Sequence, residues 1–328
     1  MSTEATRILF TGAGFTHNFG TPLAKEMSDG LLSHRKVQSH SLLMELLRRT
    51  FDFEDVYQEV MDEDYDQGAK DAISEAIRQA YSEVDDIVRD CDARSGQTLE
   101  GVLQLIRRFA RNRGDYFFTV NQDLFVERHY RDNQRQFIWP GIGGQQERWK
   151  GAPWKERLQL EDEHCTLPDE PALKIQKKSD LESGLPFYVK LHGSQNWYDS
   201  RGRLKLVIGS SKLAQIEEEP LLSWYFDLFK QAINRDNTCL CVIGYGFRHE
   251  HINSVLADAV GAHNLRIYVL SPKDREAFQC RLQKEPRGED IIGGIAGYVG
   301  QSLVQALPPQ DWDTPARYEL WRSFFGVV

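Results

Sequence analysis

The sequence predicts an α/β fold: a doubly wound, mostly parallel, Rossmann-like sheet that carries a large helical insertion. Three observations carry this reading. Apolar, β-branched and aromatic runs recur along the chain, each ending in small or polar residues, as strands buried on both faces do. Stretches with helical spacing separate the runs, and strands that alternate with helices imply parallel pairing. The first run leads directly into a glycine-rich turn, ILFTGAGFTHNFGTP at residues 8–22, and a strand, a glycine turn and a helix start are the parts from which nucleotide sites are often built.

The elements follow in chain order. RILFT (7–11) is the first strand. A helical stretch from about residue 24 to 113 comes next, with Leu42, Leu43, Leu46 and Leu47, then Leu99, Val102, Leu103 and Ile106, at helical spacing; it reads as a helical insertion or subdomain. Within it DFEDVYQEVMDEDYD (52–66) carries eight acids, read as a solvated helix face and loop whose charge repels phosphates. DYFFTVN (115–121) and QFIWP (136–140) are the next strands. From Gly141 to Gly184 the text is rich in glycine, proline and charge, which predicts an irregular surface excursion. PFYVKLHG (186–193), TCLCVIGYG (238–246) and RIYVLSP (266–272) complete the sheet, the last as its final strand. Cys239 and Cys241 alternate within an apolar run and are expected in the core. The closing PARYELWRSFFGVV brings Tyr318, Leu320, Trp321, Phe324 and Phe325 close together, to complete the core or to dock a partner.

Composition bounds the function. With 328 residues, 41% of them hydrophobic, the chain can bury one large core with insertions or two smaller ones; the strand pattern is read as one domain over 1–328. A net charge of −9 argues against general adhesion to nucleic acid or to an anionic membrane, so any phosphate must be held by local chemistry. The five cysteines, Cys91, Cys165, Cys239, Cys241 and Cys280, include no C-x-x-C pair, which indicates neither a disulfide framework nor a zinc ribbon. MSTEATRILF lacks the layout of a signal peptide, and no apolar run is long enough to cross a bilayer. Reduced thiols and a cytoplasmic location are expected, with no membrane and no sequence-specific nucleic acid as partner.

In such sheets ligands lie at the carboxyl ends of the strands. At the first end, Gly12 and Gly14 let the backbone approach a pyrophosphate, and amides of the following helix start can donate to it. Position 17 is His17, so the dehydrogenase fingerprint G-x-G-x-x-G fails, and a ligand-free turn stays open. The second end offers Asn121 and Asp123, an amide and a carboxylate two residues apart, though a helix cap and turn would use the same residues. His192 stands where an apolar run stops, and Gly244-Tyr245-Gly246 ends another, as a plain turn or as room for ribose or phosphate. His249-Glu250-His251 misses H-E-x-x-H because Asn253 stands where the second histidine would. That stretch is expected to open the helix INSVLADAV, with His251 in a capping role, Cys165 on the surface and no metal site.

These strand ends together resemble the sirtuins. Gly12-Ala13-Gly14-Phe15-Thr16 followed by Gly20-Thr21-Pro22 resembles the sirtuin G-A-G-x-S with its later G-I-P. Thr119-Val120-Asn121-Gln122-Asp123 resembles T-Q-N-I-D, and Leu191-His192-Gly193 the histidine-glycine pair. VIGYGFRHEHIN (242–253) is similar to the signature of the sirtuin-like branch found in bacterial anti-phage defence proteins, near the adenosine side of NAD. The resemblance implies NAD as ligand. It places Gly12, Ala13, Gly14, Phe15, Thr16, Gly20, Pro22, Asp123, Gly244, Tyr245 and Gly246 in binding, and Asn121 and His192 in catalysis. His192 would contact the ribose hydroxyls and act as general base, Asn121 would orient the sugar, and Asp123 would fix the nicotinamide amide or the loop.

The departures from the sirtuin pattern narrow the activity. Sirtuin deacylases carry four zinc cysteines, whereas only Cys165 falls in the corresponding irregular region, so no structural zinc is expected. After Pro22 the deacylase D-F-R is replaced by Leu23-Ala24-Lys25. No peptide-docking strand is evident after His192, where RGRLKLVIGSSKLAQ stands. What remains is cleavage of the nicotinamide glycosidic bond with water as acceptor, making NAD the substrate. The resemblance further implies a defence effector that depletes NAD when activated, a homo-oligomer, and pairing with a HerA-type ATPase. A module that senses NAD or ADP-ribose without cleaving it, and a protein deacylase, are the alternatives.

Overall fold

The computed structural model describes residues 6–50, 52–62, 64–109, 114–130, 137–142 and 165–307. Six parallel strands form the main sheet: β1 (Arg7–Thr11), β2 (Tyr116–Thr119), β4 (Phe187–Lys190), β7 (Cys239–Ile243), β8 (Arg266–Ser271) and β9 (Ile295–Gly300). Their spatial order is β4-β2-β1-β7-β8-β9. Counting main-sheet strands alone this is the doubly wound order 3-2-1-4-5-6, which reverses between β1 and β7.

The period of two explains the two-sided burial. Ile8, Phe10, Phe118, Val189, Leu240, Val242 and Val269 enter one core cluster, while their neighbours Leu9, Phe117, Tyr188, Cys241 and Tyr268 enter the other. Each strand therefore feeds both faces, and polar residues are confined to its ends. On the first face lies α10 (Pro220–Ile233), which buries nine of its side chains. On the second lie the later part of α6 (Gln67–Phe109) and α7 (Phe125–His129). Cys239 and Cys241 are buried, as their alternation predicts.

The insertion between the first two strands is helical, as expected. It comprises α2 (Ala24–Leu32), α3 (Arg35–Gln38), α4 (Ser41–Thr50), α5 (Phe53–Asp62) and α6. Leu43, Leu46, Leu47, Phe53, Val56, Ile73 and Ile77 form its own core, while Leu42 is exposed. The 43-residue α6 spans about 65 Å at 1.5 Å per residue, long enough to serve both bodies. Its start packs in the bundle, whereas Val84, Val88, Leu99, Val102, Leu103 and Ile106 pack against the sheet. Asp85 of α6 takes two bonds from the fully buried Arg128 of α7, at 2.6 and 2.5 Å.

The structure corrects four expectations. QFIWP is no strand: among its described residues only Ile138 pairs, in a single bridge to Phe187, and Pro140, which has no N–H to donate, stops the ladder. The stretch 141–184 holds a regular helix, α8 (Glu170–Ser183), capped by the Asp169 carboxylate and closed by Gly184 at φ +70°; residues 143–164 of it lie outside the described part. RIYVLSP is not the last strand, because β9 flanks it. That edge strand carries Gly297 against the Tyr268 ring and Gly300 at its end, so it lacks the apolar run of a central strand. A second sheet of β3 (Cys165–Thr166), β5 (Gly193–Tyr198) and β6 (Leu204–Leu206) also forms, in addition to the strands the apolar runs predict. The aromatic C-terminal run lies outside the described residues.

Candidate functional site

The first two loops meet where the strand order reverses. Gly12 N–H donates to Ile243 O at 3.1 Å and Gly14 N–H to Gly244 O at 2.9 Å, tying the turn after β1 to the end of β7. A Cβ on Gly12 would come within 2.8 Å of Tyr245 Cα, and one on Gly14 within 2.9 Å of Gly244 Cα. The glycines thus allow two protein backbones to approach closely. Phe15 N–H is also taken, by Gly12 O at 2.8 Å. Phe15 and Tyr245 both turn their rings into the core, Phe15 against Phe125 and Tyr245 against Phe10. Ala13 and Gly20 are exposed, and Gly14, Pro22, Gly244 and Gly246 are half-buried, so this rim is the part of the turn open to a ligand. Gly246 O accepts from Arg281 Nη1 at 3.0 Å.

Thr16 joins the first loop to the second. Its hydroxyl donates to Asp123 Oδ2 at 3.0 Å and accepts from Asn121 Nδ2 at 3.3 Å. Asp123 Oδ1 accepts from Phe125 N–H at 3.0 Å. With both oxygens engaged, Asp123 holds the loop. Burial raises its pKa, and the nearby Lys190 works against that rise. Asn121 N–H donates to Thr119 Oγ1, which in turn receives the Thr11 hydroxyl. Asn121 is 9% exposed, and its amide is held at the mouth of the sheet.

His192 comes from the adjacent strand. β2 and β4 pair with Thr119 opposite Lys190, so Asn121 and His192 each stand two residues past a paired position. Leu191 N–H donates to Thr119 O at 2.8 Å, continuing the ladder one step. His192 O accepts from Val207 N–H at 3.0 Å and from Gln122 Nε2 at 3.1 Å, and Gln122 Nε2 also reaches Val207 O. Tyr81 of α6 donates to Gln122 Oε1, so the insertion braces the backbone beneath the histidine. Behind it Lys190 is fully buried, its ammonium bound to Asp123 O at 2.5 Å, Glu127 Oε1 at 2.9 Å and Ser194 Oγ at 2.8 Å.

Three histidines converge here. His192 Nε2 lies 3.0 Å from His251 Nε2, and the His249 ring centroid is 4.8 Å from that of His192. Burial pushes His192 well below the usual imidazole range, with His249, His251 and Lys212 adding to the shift. Burial likewise brings His249 down to about 3 and His251 to about 4. All three rings are neutral at pH 7. Among the described residues no group of three histidine, cysteine or acidic side chains is placed to hold a metal ion.

Two expected roles are overturned. His251 does not cap its helix, since no side chain caps α11 (Glu250–His263); its ring bonds to His192. Cys165 is buried, with its thiol pushed up to about 12 by that burial, because β3 pairs it with Trp197 inside the core. Gln122, Lys190, Tyr81 and His251 were not foreseen. The pair of histidines right after GYGFR was a usable signal for the last; nothing local marks the others. Gln195 is a further surprise: buried, with neither amide atom hydrogen-bonded among the described residues.

The sequence profile of the SIR2-like domain matches residues 115–292, more than half of the chain. The chain belongs to the SIR2-like family. That membership connects this SIR2-like chain with NAD-related activity, and the match takes in Asn121, Asp123, His192 and the Gly244 loop. The turn at 12–22 and the helical insertion precede the matched segment of the SIR2-like chain. No curated protein matches it.

Proposed function

We propose that this SIR2-like chain is an NAD glycohydrolase that cleaves NAD to nicotinamide and ADP-ribose. One observation carries the reading: Asn121 and His192 end adjacent parallel strands at the carboxyl edge of the sheet, beside the turn after β1, within the segment that matches the family. The glycosidic bond breaks through an oxocarbenium-like centre on ribose, so a site must orient the sugar and deliver water. Asn121 supplies a fixed amide for orientation. His192, neutral at pH 7, is in the form that accepts a proton, the requirement for a general base. Asp123 and Thr16 hold Asn121 rather than the substrate, since their oxygens are bonded to one another.

The altered residues after Pro22 and the absence of four zinc cysteines from the sequence favour hydrolysis over deacylation. The resemblance of VIGYGFRHEHIN supports the wider reading: a cytoplasmic anti-phage effector that depletes NAD on activation, as a homo-oligomer paired with a HerA-type ATPase. To test the reading, the purified chain, alone and with its genomic neighbour, is incubated with NAD while nicotinamide, ADP-ribose and an acyl peptide are followed by chromatography. His192→Ala and Asn121→Ala should bind NAD and lose hydrolysis by about 100-fold or more. A His192→Ala variant as fast as the parent overturns the mechanism. NAD binding without turnover in the parent would mark a sensing module. Light scattering reads the oligomer; a monomer under both conditions counts against that part.

A further inference from the structure

The second histidine of the cluster has a geometry that a capping residue does not need. His192 and His251 meet through their Nε2 atoms at 3.0 Å, across 59 residues of sequence. Two neutral imidazoles can meet in this way only if one donates and the other accepts, so the contact selects a tautomer for each ring. His192 Nδ1 makes no hydrogen bond among the described residues.

We propose that His251 is a positioning residue for His192: its Nε2 accepts the His192 Nε2–H, which keeps the His192 Nδ1 lone pair free to take a proton from substrate. This deepens the glycohydrolase reading and rests on it. In that reaction the oxygen of water bonds to the anomeric carbon, and the glycosidic bond breaks with its electron pair going to the nicotinamide nitrogen. A water proton moves to His192 Nδ1 and is later released to solvent. While His192 carries that proton, its Nε2–H to His251 becomes a charge-assisted hydrogen bond, which is about twice as strong as a neutral one. His251 thus does for His192 what an acceptor does for any catalytic imidazole: it sets the tautomer and stabilises the charged form.

The surroundings make such help useful. Lys212 of α9 (Lys212–Glu218), itself paired with Glu54, and Arg248 add positive charge near the cluster. His249 and His251 stand at the N-terminal end of the 14-residue α11, whose dipole also disfavours a cation there. Phe226 of α10 packs against the His251 ring, and Tyr245 against His249. Among the described residues, no carboxylate is one of the groups that shift these histidines. A protonated His251 would repel charge on His192, but with its pKa at about 4 it is neutral above that pH and acts as an acceptor.

The test compares His251→Phe and His251→Gln with the parent, in the activated assembly, by kcat, KM and the pH profile, together with 15N spectra of the histidine rings. His251→Phe should lower kcat by about tenfold to a hundredfold, leave KM within a few-fold, and displace the acidic limb of the profile. His251→Gln, whose side-chain oxygen can still accept, should recover much of the loss. The spectra should find His192 as the Nε2–H tautomer in the parent. A His251→Phe variant with parental kcat and pH profile overturns the proposal, as does a His192 ring protonated on Nδ1. If the parent does not cleave NAD, the glycohydrolase reading fails, while the tautomer still decides the pairing of the two rings.

Discussion

Gly244→Ala tests whether the glycines at the strand ends serve the protein's own backbone. Gly244 has φ +69°, a region that costs a residue with a Cβ about 1–2 kcal/mol. A Cβ there would overlap the Phe15 nitrogen and the Gly14 carbonyl carbon and stand 2.8 Å from Gly14 Cα. Backbone atoms cannot swing aside, so the loops must part. Parting them strains two bonds, Gly14 N–H to Gly244 O and Gly12 N–H to Ile243 O, each worth about 1 kcal/mol net and up to about 3 if left buried and unpaired. The sum is roughly 3–8 kcal/mol, a large share of the roughly 5–15 kcal/mol of a typical protein. Gly246→Ala is the control, because its Cβ would meet nothing closer than 3.8 Å, at the flexible side chains of Arg248 and Arg281. Guanidinium unfolding should find Gly244→Ala strongly destabilised and Gly246→Ala within about 1 kcal/mol of the parent. Equal stability of the two variants would refute the argument. So would a Gly244→Ala variant that is stable and has lost only NAD affinity, since that would return the glycine to the ligand.

Lys190→Met leaves the Glu127 carboxylate buried beside an uncharged side chain, which should cost about 3–5 kcal/mol in denaturant unfolding. Lys190→Met with Glu127→Gln should recover part of the loss, and failure to do so would show the pair is not the cause. Acid should also destabilise the fold through the histidine cluster. With folded values of about 4 for His251 and about 3 for His249, below the usual 6.5, the unfolded chain binds protons that the folded chain refuses. The stability is therefore complete above pH 6.5 and is lost as pH falls toward 4, by up to about 1.4 kcal/mol per pH unit for each independent ring. Denaturant midpoints at pH 7.5 and 5.5 should differ in that direction, and His249→Phe with His251→Phe should flatten the difference; an unchanged slope rules the cluster out. Among the five cysteines only Cys280 is exposed, so a thiol reagent should label one site quickly in the native chain and five after unfolding. Rapid native labelling of Cys165 would contradict its burial.

What depends on local period and on strand ends is legible in the sequence. Continuous apolar runs specify five of the six sheet strands, because a strand buried on both faces needs apolar side chains at every position. Where an apolar run stopped, Asn121 and His192 were legible as edge residues, and parallel pairing then placed both at the same edge. The helical insertion was legible from spacing, although Leu42 turned out exposed because the period names a face and not which neighbours will cover it. β9 carries no apolar run because an edge strand needs less apolar surface, and QFIWP has the composition of a strand although it makes one bridge before its proline. The site's inner wiring comes from contacts between residues far apart in the chain. Thr16 meets Asp123 across 107 residues, Gln122 reaches Val207 across 85, and Tyr81 meets Gln122 across 41. A single polar residue carries no local mark of such a partner. Lys190 reads as a strand-end lysine until three buried acceptors are found around its ammonium. The glycines were visible, but what they let approach was not, since a missing Cβ is equally useful to a ligand and to another backbone. His251 became part of the site only when β7 and α11 brought its ring to His192, a juxtaposition set by the order of strands in the sheet.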